Sequence, residues 1–441
     1  MDHQAILKKA LQKNIDQAEV YFSSSKSLQI NVLNQKVESI EEVTESGLGI
    51  RVIKDKKLGF AYTSDLDEDV IEETIDQAIA NARNTVADEY HELPKGLKAN
   101  RPIGPLVDPS ITTTSIQDKI KLALRIEESA YKSDKRVKKT EKISYSDSEG
   151  EVWIANSHGL DLTYKSNNCS ADAEVIAIDG GMEMGFGMDF VKKLADLNPE
   201  KVGQEAAQRA TELLGAKTIE SQKLPIVLDP LVAVALLEVL ISPLSSEAVQ
   251  KGRSLFAGKI GEIVAAKILN IIDDGRLENG LATRPFDSEG VPTQETKLIE
   301  NGKLNTFLFN TYTANKGLTE STGNAVRGGF SGRPGVGPSN FYIVPGSKTP
   351  NSILRTVAKG LYVNQVMGIH TANAISGEFS IGALGIMIEN GKKTYPVKGI
   401  TISGNLIDLL QHIEEVGSDL RFFGGAGAPT VLINNISISG E

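Results

Sequence analysis

Pro225-Ile226-Val227-Leu228-Asp229-Pro230-Leu231-Val232-Ala233-Val234-Ala235-Leu236-Leu237-Glu238-Val239-Leu240-Ile241-Ser242-Pro243 is the stretch on which the fold turns. Pro225 to Leu228 has the short, apolar character of a buried strand. Asp229 suits a helix cap and Pro230 a first helical position, so a helix is expected from there to Ile241. Apart from Glu238 its residues from Leu231 onward are almost wholly apolar, and a helix without a polar face must lie inside a body large enough to surround it. It is also far shorter than the roughly twenty residues a bilayer demands. A main boundary therefore falls just before it, dividing the chain into 1–221 and 222–441.

N-terminal to this boundary the pattern alternates between helices and strands. His3 to Lys13 and Asp67 to Thr85 space their apolar residues by three and four, as helices with one buried face do. Between them Ala18–Phe22, Leu28–Leu33, Gly49–Ile53 and Leu58–Tyr62 read as short strands, the last two joined by the polar turn Lys54-Asp55-Lys56-Lys57. From His91 to Pro109, the breakers Pro94, Gly96, Pro102, Gly104 and Pro105 mark a connector between subregions of about 1–90 and 110–221. Ser115–Lys132 is a further amphipathic helix. A strand meander follows from Val137 to Ala177, with turns expected at Asp147-Ser148-Glu149-Gly150 and Asn156-Ser157-His158-Gly159. Pro199–Ala216 is a helix with Asn198 as its cap. After the apolar helix the chain is strand-rich, and Ile-Glu-Asn-Gly-Lys occurs at 299–303 and again at 388–392, where Asn-Gly signals a tight hairpin turn. The fold class is α+β, in two domains, with a strand-rich C-terminal one.

Composition narrows the function. The 441 residues include 47 Lys plus Arg against 57 Asp plus Glu, a net charge of −10 that disfavours phosphate backbones and anionic lipid. The single cysteine, Cys169, forms no internal disulfide, and the start Met1-Asp2-His3-Gln4 lacks a secretory pattern, so a cytoplasmic location is expected. His91-Glu92 opens like a zinc-peptidase motif, but the residue one turn on is Lys95 and Pro94 breaks the turn, which leaves an exposed loop histidine. Gly252 to Lys259 imitates a phosphate loop with the wrong spacing and Ile260 in place of a hydroxyl. The five histidines, His3, His91, His158, His370 and His412, share no metal-binding spacing. Two glycine-rich stretches, around Gly329 and Gly425, are turns or bulges that can bring backbone amides near a peptide. Glu238 is costly in an apolar helix unless it is paired, neutral or at the rim, and the rim is the simplest of these.

Several ordered motifs across nearly the whole chain resemble the TldD/PmbA family, once called modulators of DNA gyrase and regarded as metallopeptidases. Gly47-Leu48-Gly49-Ile50-Arg51-Val52 with Gly59-Phe60-Ala61-Tyr62 looks like the first module. Lys251-Gly252-Arg253-Ser254-Leu255-Phe256-Ala257-Gly258, Ile260-Gly261-Glu262, Asp273-Asp274-Gly275, Thr322-Gly323-Asn324-Ala325 and Ser376-Gly377-Glu378-Phe379 match the C-terminal half. In the family's TldD-type branch a His-Glu-x-x-x-His motif precedes the Lys-Gly-x-Ser segment, with a cysteine ligand near the C-terminus. Laid on this chain, the motif falls on Leu237, Glu238 and Ser242, and Asp419 to Leu432 holds no cysteine. Leucine has no lone pair and a serine hydroxyl is a poor zinc ligand, so the three are read as vestigial and no metal is expected here.

The resemblance implies the PmbA or TldE type: a subunit without catalytic residues of its own that completes the chamber of a cytoplasmic peptidase degrading unfolded, extended peptides. Zinc is expected in a TldD-type partner, and Gly329 and Gly425 are the places to look for peptide contact. Two alternatives stand beside it. One is a homodimeric peptide-binding or regulatory protein without hydrolysis. The other is a metallopeptidase with relocated ligands, such as His370 or His412 approaching Glu238.

Overall fold

The computed structural model describes residues 3–95 and 103–441, so Gly96 and Pro102 of the expected connector lie outside the described residues. Helix α1 (His3–Leu11) is followed by β1 (Gln17–Leu33), β2 (Lys36–Lys54), β3 (Lys57–Thr63) and α2 (Glu68–Arg83). The second run is α3 (Pro109–Thr113), α4 (Ile116–Ser133), β4 (Val137–Asn156), β5 (Asp161–Ile178), β6 (Met182–Val191) and α5 (Pro199–Glu212). All six strands form one antiparallel sheet, in the order β3-β2-β1-β4-β5-β6. Both subregions thus share a sheet, and the connector's described start is tied to it. Leu93 is buried, its N–H donates to Gln17 Oε1 at 2.8 Å, and the Pro94 carbonyl accepts from Asn156 Nδ2 at 3.1 Å.

The strands are longer than their local composition suggests. Ala18–Phe22 and Leu28–Leu33 are two parts of β1, bridged by Ser23–Ser27, which pair with β2 and β4 without interruption. The turn expected at Asp147–Gly150 is absent: these residues run straight through β4, paired to β1 on one side and β5 on the other. Pairing on both flanks overrides turn-like composition, and Asp147 gains the Lys119 ammonium at 2.6 Å and the Tyr145 hydroxyl at 2.9 Å. The second expected turn forms, with Gly159 at φ +86° and Asn156 Oδ1 accepting from His158 N at 2.9 Å. Ser115 and Asn198 cap α4 and α5.

One face of this sheet, with Val20, Ile50, Ile30 and Tyr145, receives all the long N-terminal helices and forms two buried clusters with them. Burying each such isoleucine is worth about 1.5–3 kcal/mol. Among the described residues, none of these N-terminal helices packs on the other face.

The C-terminal half opens with β7 (Gln222–Leu228) and α6 (Pro230–Val239), then α7 (Ser246–Gln250), β8 (Ile271–Asp274), β9 (Glu295–Glu300), β10 (Lys303–Leu304) and α8 (Thr311–Lys316). It continues with β11 (Ala325–Val326), β12 (Gly335–Val336), β13 (Phe341–Ile343), α9 (Pro350–Leu354), β14 (Lys359–Met367), β15 (Glu378–Glu389) and β16 (Lys392–Asn405). It ends with α10 (Leu406–Gln411), β17 (Ile413–Val416), β18 (Arg421–Phe423), β19 (Ala426–Ala428) and β20 (Val431–Ser439). Asn301-Gly302 and Asn390-Gly391 sit at positive φ in the two expected hairpins. One sheet runs β16-β15-β14-β7-β20-β17, and a further β16–β20 pairing closes five of its strands into a ring. A second runs β10-β9-β8-β13-β19-β18, and β11 and β12 pair as a two-stranded sheet. Helix α6 packs against strands of both larger sheets, which explains its apolar circumference. It ends at Val239, two residues short of the expected Ile241. No described helix is long and apolar enough to cross a membrane.

Candidate peptide-binding groove

Strand register builds the open face of the first sheet. Tyr21, Ser23 and Ser25 lie opposite Gly49, Gly47 and Glu45 on one side. Ser23 and Ser25 lie opposite Val152 and Gly150 on the other, which in turn face Tyr164 and Ser166. Side chains directly opposite share a face, so hydroxyls and aromatic rings form one surface. The loop between β11 and β12 lies over it and bounds a groove of about 790 Å³, lined by Tyr21, Ser23, Ser25, Tyr62, Tyr164 and the segment Gly328-Gly329-Phe330-Ser331, among others.

Glycine makes the close approach possible. A Cβ on Gly47 would lie 2.4 Å from the Phe330 ring, and one on Gly49 would lie 2.4 Å from the Phe330 carbonyl oxygen. Phe330 thus settles into a side-chain gap in β2 and meets Tyr62 edge-on at 6.2 Å. Gly329, at φ +73°, turns the loop and faces the Ser23 hydroxyl.

Buried charge fixes the root of this loop. Arg327, its side chain wholly inaccessible, forms an ion pair with Glu19, donates from Nε to the Ser288 carbonyl at 3.0 Å and stands 4.4 Å over the Tyr21 ring. Glu19 also accepts from Arg51 Nη2 at 2.5 Å, and Arg51 Nη1 reaches Glu289 at 2.8 Å. Glu289 in turn accepts from the Thr311 N–H at 2.8 Å. Burial alone would raise the Glu19 carboxyl, but the two guanidinium groups outweigh it and hold the group below the usual carboxylate range. Asp273 anchors the neighbouring strands, accepting from Asn324 Nδ2 at 2.6 Å, Ser339 N at 2.6 Å and Ser339 Oγ at 2.9 Å. Burial pushes its carboxyl up to about 6. Asp287 accepts from the backbone N–H of Glu289, Val291 and Ala325, and burial followed by the nearby Glu289 charge raises it.

The other expected positions lie elsewhere. Gly425 is a turn residue between β18 and β19 whose carbonyl accepts from Phe341 N at 2.9 Å, so its backbone already serves a sheet. Leu237 is 2% exposed and lines a wholly apolar cavity of about 30 Å³ inside the C-terminal core. Glu238 points outward at the rim, its carboxyl raised by partial desolvation. Ser242 is exposed in the turn beyond the helix. One carboxylate, an apolar side chain and a hydroxyl past the helix end do not make a zinc donor set. Among the described residues no three of His, Cys, Asp and Glu come together as a metal-binding group. His412 uses Nδ1 on the Asp408 carbonyl of its own helix at 2.6 Å, and His370 lies exposed in the turn Ile369–Thr371 that packs near α6. His91 is half-buried rather than exposed, because its ring stacks 5.0 Å from Tyr312. Cys169 is buried in β5 and its thiol is pushed up to about 12, which makes it inert.

Of the positions expected from the sequence, Gly329 lines this groove, whereas Phe330, Arg327 and Glu19, which shape it, are not among them. The available signal was the Gly47-Leu48-Gly49 spacing inside a strand, a mark of close approach by another part of the chain.

Comparison with known proteins extends over the whole chain. Family models described as PmbA/TldA metallopeptidase domain 1, central domain and C-terminal domain match residues 18–82, 109–214 and 221–440. Metalloprotease PmbA of Escherichia coli O157:H7 is 32% identical over 430 residues, covering 97% of this chain and 93% of that protein. A Thermotoga maritima protein solved as a candidate modulator of a DNA gyrase superposes with a TM-score of 0.92 at 32% identity, covering 99% of both chains. TldE from Thermococcus kodakarensis superposes with a TM-score of 0.91 at 26% identity, again covering 99% of both. With its three segments matched in order and 97% of its length shared with such a relative at 32% identity, the chain belongs to the PmbA/TldD metallopeptidase family.

Proposed function

We propose that this chain is a PmbA/TldE-type subunit that holds no zinc of its own and completes the substrate chamber of a zinc-bearing, TldD-type partner in the cytoplasm. In this reading the unit 1–221 contributes the groove beneath Gly329 for extended peptide, and the unit 222–441 carries the vestigial helix. The observation that carries it is the state of α6: Leu237 is sealed in the apolar core and Ser242 lies past the helix end, so Glu238 has no histidine partners with which to hold a metal-bound water. The likeness to TldE of Thermococcus kodakarensis supports the subunit type. Conversely, the groove's hydroxyl and aromatic lining suits an extended backbone more than a compact anion.

The test is a mixing experiment with metal analysis. The purified chain is expected to contain far less than one zinc and to leave a casein-derived peptide mixture uncut, with cleavage appearing when a TldD-type subunit is added. Zinc-dependent cleavage by the chain alone would sink the proposal.

A further inference from the structure

We propose that the free edge of β2 is a strand-addition site leading into the groove, and that its occupant is an extended, basic polypeptide segment. This rests on the groove's reading as a peptide site and names the chemistry of what enters it. β3 pairs with β2 only between Leu48 and Lys54. The part of β2 from Lys36 to Ser46 pairs with β1 on one side and with no described strand on the other. At about 3.3 Å per residue, roughly 36 Å of strand keeps its outward N–H and C=O groups open. This edge leads to the groove, because Glu45 and Ser46 line it, as does Ser64, the residue just past the end of β3. A chain laid along the edge continues the line of β3 and arrives beneath Phe330.

Composition distinguishes this edge from one that is merely uncovered. Proline and lysine, which commonly protect free edges, are absent between Val37 and Ser46. Val37, Ile40 and Val43, all β-branched, are instead 40%, 45% and 51% exposed. Charge then selects the occupant. The edge carries Glu38, Glu41, Glu42 and Glu45, of which, among the described residues, only Glu42 is ion-paired, with Lys26 at 3.1 Å. A second copy of this edge would set glutamates against glutamates, whereas a strand bearing lysine or arginine pairs with them.

The experiment uses the full chain and acetylated, amidated peptides matched in length to the edge: repeated Lys-Val-Thr, repeated Glu-Val-Thr, and repeated Lys-Pro-Thr, which keeps the charge but removes donors needed for a ladder. Binding is read by calorimetry, and its position by amide hydrogen exchange. The lysine-valine peptide is expected to bind and to slow exchange across residues 36–46, while the other two do not. The doubly reversed variant Glu41→Lys, Glu45→Lys, altered only at exposed positions, is expected to bind it about tenfold more weakly. Equal binding of the proline peptide, or binding without protection of 36–46, overturns strand addition but leaves the groove's peptide reading intact. Failure of every peptide to bind overturns both.

Discussion

Gly47 shows how much a missing Cβ can decide. Its α-hydrogen side meets the Phe330 ring and the Thr63 carbonyl at distances no side chain tolerates. Gly47→Ala is expected to destabilise the chain by about 1–3 kcal/mol in urea titration, as overpacking does. Part of that cost should vanish in a Phe330→Ala background, because the ring supplies one of the two clashes. Asp273 makes a different expectation, about pH. Its carboxyl titrates near 6 when folded against an ordinary value of 3.8. Between those values the folded chain keeps a proton that the unfolded chain has lost, so this group's contribution to stability falls as pH rises through the window and is constant above it. Urea midpoints measured across that range should show this falling component in the wild type and lack it in Asp273→Asn. Residues of both kinds were visible in the sequence as types, yet their partners Phe330, Asn324 and Ser339 come from distant segments. Nothing in local spacing joins them.

Among the elements, α6 was legible because its composition has a single physical solution. A helix apolar on every side must be enclosed, and two sheets enclose it. The long strands were less so. Ser23–Ser27 and Asp147–Gly150 look like turns when taken alone and become strand only through neighbours supplied from both sides. The hairpins at Asn301-Gly302 and Asn390-Gly391 were legible for the opposite reason, since their turn chemistry is local. The charge chain between β1, β2 and the C-terminal half could not be read at all, because Glu19, Arg51, Glu289 and Arg327 are dispersed along the sequence. Its energetic expectation is clear: Arg51→Met leaves two buried carboxylates each short of a cation. That should cost about 3–5 kcal/mol in chemical denaturation. Replacing exposed Arg125, whose Glu200 partner is also exposed, should cost under about 1 kcal/mol.

For the whole molecule, the ordered motifs made the family legible, whereas the groove arises only when the loop after β11 meets the first sheet. If the proposed subunit role holds, Glu238→Gln should leave peptide cleavage by the mixed pair unchanged within about twofold, since no metal-bound water depends on it. A loss of a hundredfold or more would place Glu238 in the reaction. The ring formed by β16, β15, β14, β7 and β20 has a further consequence, for biosynthesis. β7 enters that ring at Gln222 and finds one neighbour in β14 and the other in β20, whose residues begin at Val431. While the ribosome is still adding the intervening two hundred or so residues, β7 has an unsatisfied flank and α6 is only partly covered. The N-terminal sheet, by contrast, draws all its strands from residues before 192 and can assemble early. The nascent chain should therefore emerge as a folded first half trailing an apolar, aggregation-prone second half, and that second half is the part that would need a chaperone until residues 431–439 arrive.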